Sequence, residues 1–518
     1  MKPRHFLIVL SYLLIAGVDL IPVNVYSQGK SGNNDLVIVN FDKSGHQVIR
    51  YSSIGDAVDA HDGEIALFDG TYYLYGTSYD CGFEWQNKNA AFCGFKVYAS
   101  KDLQNWTDRG YLFDARTKIW QTRCNGNTYG CFRPHVIYNK RTRRYVLWIN
   151  VYDNVTGYRV FTSIRPTGPF KEAAEPKLAV NSTAPAGGLN NGDHDTFVDD
   201  DGTAYLAYTD WRSKGSIVIE KLNAEYLSGT GEVCRGVTRK STEAPGMFKR
   251  NGLYYVVYSD PNCGYCSGTG ASYKVAKSPL GPWSEGKKIS DNSCGGQPSF
   301  VSTIKIDAAQ VYLFGSDLWN NGAKNEALAN YYWSPLTFNK DGSIIPIDCS
   351  LNYRVTGKKI LSEPSPVNQE GSFWAFADIQ GNTKRLQTFI SAQTGILEKV
   401  DIPLYKTGSP DSGLKVEISA FSAQGKADRK ILFTTTLASK NIGWSVRKQI
   451  LKPKISLTKG MQYCIILSSA ASIGNYGYTY DLQSSDTPGY YFGKIAGDSV
   501  SIEPGKRINF NLKIDPPK

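Results

Sequence analysis

A chain of 518 residues is longer than one hydrophobic core usually supports, so two or more domains are expected. Aromatics at 13%, with 33 Tyr and 10 Trp beside 50 Gly and only 3 Met, fit an all-β protein with many turns and argue against long helices. The net charge of +11, from 58 basic and 47 acidic residues with no long basic block, is weak evidence for an anionic partner; the absence of a recognition motif disfavours nucleic acid, and a neutral or mildly acidic polysaccharide suits the facts better.

Along the chain, Lys2, Arg4 and His5 precede an apolar stretch from Phe6 to about Val23 and small or polar residues around Ser27. This reads as a secretory signal peptide over residues 1–27, since Asp19 and Pro22 interrupt a run already short for a membrane span. A polar, Gly-rich lead-in occupies 28–34.

From 35 to 349 one pattern recurs: a carboxylate or amide, a hydrophobic strand, then a Tyr-rich strand. The copies open at Asp62, Arg133, Asp193, Glu243 and Gln297, and the pattern places Asp62, Asp193 and Glu243 at equivalent positions. Repeats of this length with short strands are the signature of a β-propeller, here with five blades around a central channel. Asp200-Asp201-Gly202 and Asn251-Gly252 supply the positive φ that tight hairpin turns need. Outer-strand segments ending in Trp106, Phe170 and Trp283 each carry an aromatic suited to packing between blades. Residues 350–372, with Pro364 and Pro366, read as a linker. From 373 to 518 short strands continue without the acid motif, as in a β-sandwich. That accessory domain either binds carbohydrate through aromatics such as Trp444, Tyr476 or Tyr490, or supports the propeller.

Ten Cys, eight of them between Cys81 and Cys294, fit an oxidising compartment. Cys81 with Cys93, Cys124 with Cys131, and Cys263 with Cys266 or Cys294 are candidate staples whose connectivity stays open. A zinc reading of Cys263-Gly-Tyr-Cys266 lacks a second ligand pair.

Strand-opening residues of a propeller converge at one channel mouth, so three acids distant in the sequence become neighbours. Hydrolysis of a glycosidic bond needs one carboxylic acid to protonate the leaving oxygen and one carboxylate to act on water or carbon. Glu243 opens Glu-Ala-Pro before a buried strand, and desolvation would keep it protonated as general acid. Asp62 would be ionised as general base, and Asp193 would orient Glu243 and tune its pKa. Glu64 and Asp195 are the replacements if the register shifts by two. His61, His135, His194 and Gln297 flank the same motifs and are candidate substrate contacts, as are Trp85 and Trp319, where a sugar ring could stack.

These residues are where the chain resembles glycoside hydrolase family 43, five-bladed propeller enzymes that invert the anomeric centre with an Asp base, a pKa-tuning Asp and a Glu acid. The likeness covers residues 35–349 and rests on Asp62 ten residues before Tyr72, Asp193 before Phe197 and Asp199-Asp-Asp-Gly, Glu243-Ala-Pro with Gly252-Leu-Tyr-Tyr, and Ser100-Lys-Asp-Leu-Gln-Asn-Trp106. Ala60-His-Asp-Gly-Glu-Ile partly resembles the exo-β-1,3-galactanase branch, which has glycines there and lacks the Asp base. The resemblance implies an inverting glycosidase, exo-acting on arabinose-, galactose- or xylose-containing plant polysaccharide, secreted or periplasmic and monomeric. The alternative is a non-catalytic glycan-binding propeller with an accessory sandwich. No cofactor is required, no metal ligands are assigned, and calcium lacks sequence support because the fifth blade has no His.

Overall fold

The computed structural model describes residues 36–516 except 42–46, 84–89, 126–129, 181–189, 307–308, 320–325, 357–358, 365–373, 409, 422–426, 444, 483–488 and 497–498. The residues read above as signal peptide and lead-in, together with Trp85 and Trp444, lie outside the described residues.

Antiparallel β-strands dominate, and the one α-helix among the described residues is Lys118–Cys124. Blade one comprises His61–Phe68, Thr71–Thr77, Phe95–Ser100 and Thr107–Tyr111 in sequence order. Blade two starts at Phe132–Asn139, blade three at Asn191–Val198 and blade four at Glu243–Arg250, each continuing to four strands. Blade five has three strands, Gln297–Ile306, Ala309–Leu318 and Asn330–Pro335. Each innermost strand packs against the next, and that of blade five returns to that of blade one, which closes the ring.

Closure is visible in the packing as well. Each junction between neighbouring blades has its own apolar core, because a sheet that is apolar on both faces must be covered on both. Phe92, Phe113, Leu147 and Phe161 fill the first junction, and Trp148, Tyr158 and Tyr208 the second. At the last junction Ile65 and Trp106 of blade one meet Phe300 and Trp333 of blade five. Trp106 and Trp333 stand edge to face at 5.8 Å, and Phe170 is buried between blades one and two.

The same last core includes Leu36, Ile38, Tyr353 and Val355. These come from Leu36–Ile38 paired with Leu351–Thr356, a strand from each end of the propeller segment. Cys294–Cys349, separated by 55 residues, adds a covalent tie at this seam. Closing so long a loop removes considerable unfolded-state entropy, so Cys294→Ser with Cys349→Ser is expected to cost about 4 kcal/mol. Urea unfolding measures this, and a loss under about 1 kcal/mol would show that the paired strands alone hold the seam.

Residues Trp374–Asp515 form a seven-stranded and a six-stranded antiparallel sheet. Leu397, Ile402, Leu404 and Tyr478 of the first share one core with Phe389, Val416, Ile418 and Ile465 of the second. Tyr476, read from sequence as an exposed sugar platform, is fully buried in that core. Tyr490 lies partly buried under the guanidinium of Arg507 at 4.6 Å. The two-sheet unit is fastened to the propeller by the Ala57 amide donating to the Val446 carbonyl at 2.8 Å, and by Arg447 beside Asp56. Ala57 and Leu328 join Ala375, Tyr405 and Val446 in a shared apolar cluster.

Candidate active site

Every innermost strand carries one irregularity near its start, where its pairing with the second strand slips. In blade one His61 pairs Thr77 and Glu64 pairs Tyr75, so Asp62 and Gly63 together face one residue. Such a bulge re-aims side chains toward the channel mouth. In blades one, two and four it puts a residue in left-handed backbone, with Asp62, Arg133 and Ala244 at φ between 51° and 58°. Gly63 is obligatory here, since a β-carbon would stand 2.2 Å from the Tyr75 carbonyl oxygen.

The bulge corrects one expectation. Asp62, Asp193 and Glu243 do not occupy equivalent positions: Glu243 pairs Ser259 just before its bulge, Asp62 is the first bulged residue and Asp193 the second. They nevertheless meet, around a residue that the sequence reading left without a role. Arg133 interacts electrostatically with Asp193, Asp62, Asp317 and Glu243. Its guanidinium donates to Asp193 Oδ2 at 2.9 Å and to the Pro298 and Ser299 carbonyls at 3.2 Å. Its own amide donates to Asp62 Oδ1 at 3.2 Å. Burial works against the charge of Arg133, but the four carboxylates more than offset it and raise its pKa.

Asp62 is almost wholly buried, accepting from Thr77 Oγ1 at 2.8 Å, with the Tyr79 hydroxyl at 3.5 Å from its other oxygen. Desolvation lifts its pKa to about 7, with Arg133 pulling down and Asp317 pushing up. Its proton is therefore held more tightly than that of a solvated carboxyl, and Asp62 becomes ionised as pH rises through about 7. Glu243 is lifted further, to about 8, first by burial and then by the charge of Asp193. Two donors restrain it at Oε1, the Cys263 amide at 2.8 Å and the Gln297 side-chain amide at 2.7 Å.

Gln297 is fully engaged. Its nitrogen also donates to the Cys263 carbonyl at 2.8 Å, and its oxygen accepts from Trp319 Nε1 at 2.9 Å. Placed thus, it orients Glu243. Trp319 belongs to an aromatic wall with Tyr79, Phe83 and Tyr265, standing 5.9 Å from Tyr79 and 5.0 Å from Tyr265 between ring centroids. Trp120 is on the short helix, buried among Phe113 and Phe161.

The three histidines, read as contacts for sugar hydroxyls, lie beneath the surface with at most 1% exposure. His61 stacks on Tyr331 at 4.8 Å, and its Nδ1 faces Asp317 at 3.4 Å. Asp317 is a second residue missed from sequence. Its Oδ2 accepts from the Asp62 amide at 2.9 Å, so it braces the strained turn that carries Asp62. A signal for it existed: the residues paired with the five strand openings are Thr77, Asn150, Asp210, Ser259 and Asp317, all polar after an apolar run.

Glu64 and Asp195 lie deeper in the channel. They accept from the Val136 and Met247 amides, each at 2.5 Å, and stitch blade one to two and blade three to four. His135 stands between them, its Nδ1 at 3.0 Å from Asp195 and 3.7 Å from Glu64. Burial depresses an imidazole, but these two carboxylates raise His135, whereas His194 is driven well down by burial and by His135 and Arg133. Ligand atoms of Glu64, His135 and Asp195 lie within 4.8 Å of one another, a donor set that a divalent cation accepts. A cavity of about 650 Å³ reaches Glu64 and Asp195 and is lined further along by Lys140 and Lys249.

A five-bladed propeller with a carboxylate cluster at its channel defines a class of glycoside hydrolases. The profile of glycosyl hydrolases family 43 matches residues 55–335, and the chain belongs to that family and is a glycoside hydrolase. Among curated relatives it is 27% identical over 301 residues to a β-D-galactofuranosidase of Aspergillus niger, covering 56% of this chain and 83% of that one. It is 26% identical over 242 residues to an arabinoxylan arabinofuranohydrolase of Paenibacillus polymyxa, covering 43% of this chain and 38% of that one. In fold it is similar to the exo-β-1,3-galactanase of Clostridium thermocellum, with a TM-score of 0.51 at 19% identity over 93% of this chain and all of the other. No helix among the described residues is long and apolar enough to cross a membrane.

Proposed function

We propose that this protein is a secreted, inverting, exo-acting glycosidase of arabinose-, galactose- or xylose-containing plant polysaccharide. The observation that carries the reading is the meeting of Asp62, Asp193 and Glu243, from three blades, around Arg133. In this mechanism Glu243, held protonated by burial and by Asp193, delivers its proton to the leaving glycosidic oxygen. Asp62, ionised and fixed by Thr77 and the Arg133 amide, removes a proton from the water that attacks the anomeric carbon on the opposite face. Asp193 keeps the proton on Glu243 by its charge, while its ion pair with Arg133 keeps Asp193 itself in place. The names of the relatives support furanosides and galactosides as the sugars to try first.

The test is a panel of aryl α-L-arabinofuranoside, β-D-galactofuranoside, β-D-galactopyranoside and β-D-xyloside, followed by β-1,3-galactan and arabinan. The first product's anomer is read by NMR. A product of retained configuration would refute the mechanism, and failure on every member would refute the substrate class.

The pH dependence has a definite sign. Activity needs Asp62 deprotonated and Glu243 protonated, so kcat/KM is expected to rise through about pH 7 and fall through about pH 8. The limbs belong to the interacting cluster rather than to either carboxyl alone. A profile flat between pH 5 and 9, a range chosen about one to two units beyond each limb, would count against the pair.

A further inference from the structure

Resting on the reading of Glu243 as the acid, we propose that the Cys263–Cys266 disulfide loop is a positioning clamp. It holds Glu243 at one end and Tyr79, beside Asp62, at the other, and thereby sets proton delivery rather than the stability of the fold.

The loop follows the second strand of blade four, Leu253–Ser259, and lies at the surface next to the cluster. Its first cysteine acts through the backbone. The Cys263 amide donates to Glu243 Oε1, and the Cys263 carbonyl receives the same Gln297 nitrogen that donates to Glu243. The carboxyl, the side-chain amide and the loop backbone thus form one closed set of hydrogen bonds. Two residues on, the Tyr265 hydroxyl donates to the Tyr79 hydroxyl at 3.3 Å, and Tyr79 in turn stands 3.5 Å from Asp62 Oδ2. The Tyr265 ring closes edge-on against Trp319, whose indole nitrogen donates to Gln297. Four residues therefore reach Glu243 directly and Asp62 through Tyr79.

Such a loop would not hold its shape unaided. It contains Gly264, which costs the most backbone entropy to order, and Tyr265 sits at φ 46°, a strained value for a bulky side chain. Strain of this kind persists only where the surroundings impose it. The disulfide supplies that constraint. Its cysteines are only 3 apart, so it takes little entropy from the unfolded chain compared with Cys294–Cys349 at 55. Its effect is local geometry.

The groups facing Glu243 are Asp193, Arg133, Gln297 and the Cys263 amide, and the last three favour its ionised form. Freeing the loop removes the amide, so the proton on Glu243 is held more tightly and is aimed less well. The test is the variant Cys263→Ser with Cys266→Ser, assayed on a glycoside with a poor leaving group and on the matching 2,4-dinitrophenyl glycoside, which needs little acid assistance. For the poor leaving group kcat/KM is expected to fall about tenfold or more, against a change within about threefold for the activated one. The alkaline limb should move to higher pH. Tyr265→Phe, which keeps the disulfide, should lower both substrates alike by a few-fold without moving that limb, because it acts on the side of Asp62.

Equal losses on both substrates with an unmoved limb in the double serine variant would reduce the loop to a structural element and overturn the proposal. Should that variant not fold, Tyr265→Phe decides, and parental kinetics there would overturn it. Glu243→Gln run in parallel separates the two claims. If it shows no dependence on the leaving group, the acid reading fails; if it does and the serine variant behaves as the parent, only the clamp fails.

Discussion

Glu243→Gln is expected to lower turnover of a poor-leaving-group glycoside by about 10²–10⁴-fold while leaving substrate affinity nearly unchanged. The amide matches the acid in shape, but it cannot give up a proton at the leaving oxygen. The fold should tolerate the change well. A carboxyl whose pKa is raised in the folded state binds its proton more tightly there than in the unfolded chain, so it destabilises progressively as pH rises from the unfolded value toward about 8. Gln removes that penalty. At pH 8, near that upper value, the melting temperature of the variant should equal or exceed the parent's. Steady-state kinetics, ligand titration and thermal melts measure the three quantities, and turnover within a few-fold of the parent would end the assignment.

Replacing Arg133 by Met should be the most damaging change to stability in the site. Arg133 is the buried cation among Asp62, Asp193, Glu243 and Asp317, and its guanidinium also ties blade two to the Pro298 and Ser299 carbonyls of blade five. Removing one partner of a buried ionic set leaves the others unpaired and costs about 3–5 kcal/mol. The sign of its pH dependence follows. Without Arg133 the carboxyls retain protons more strongly when folded, so the deficit grows as pH rises. Urea unfolding at about pH 5 and about pH 8 tests this, and equal deficits would mean that the loss is one of packing. Lys would not restore the site, because an ammonium cannot hold Asp193 and two carbonyls in the geometry of a planar fork.

The repeat exposed the blades because a strand and its hairpin partner are written locally, in alternation, turn residues and Tyr-rich runs. Hence the openings at Asp62, Arg133, Asp193, Glu243 and Gln297 could be read without coordinates. Partnerships were harder. Arg133 stood in plain sight as the opening of the second repeat, yet its partners lie on blades three and five. Asp317 braces Asp62 from 255 residues away, and His61 stacks on a tyrosine 270 residues on. The histidines looked like ligands for sugar because polarity beside a motif reads as exposure. Their burial depends on which blade covers them.

The order of residues by itself determined the five recurring units, the turns that join them and the delivery of acids to one end of a channel, since each of these follows from short-range backbone preference and hydrophobic patterning. Only the closed ring decided how the bulges stagger Asp62, Asp193 and Glu243, which cation they share, and that burial lifts two of them toward neutrality. Solvation and charge coupling depend on the groups packed around a carboxyl, and those groups come from distant parts of the chain.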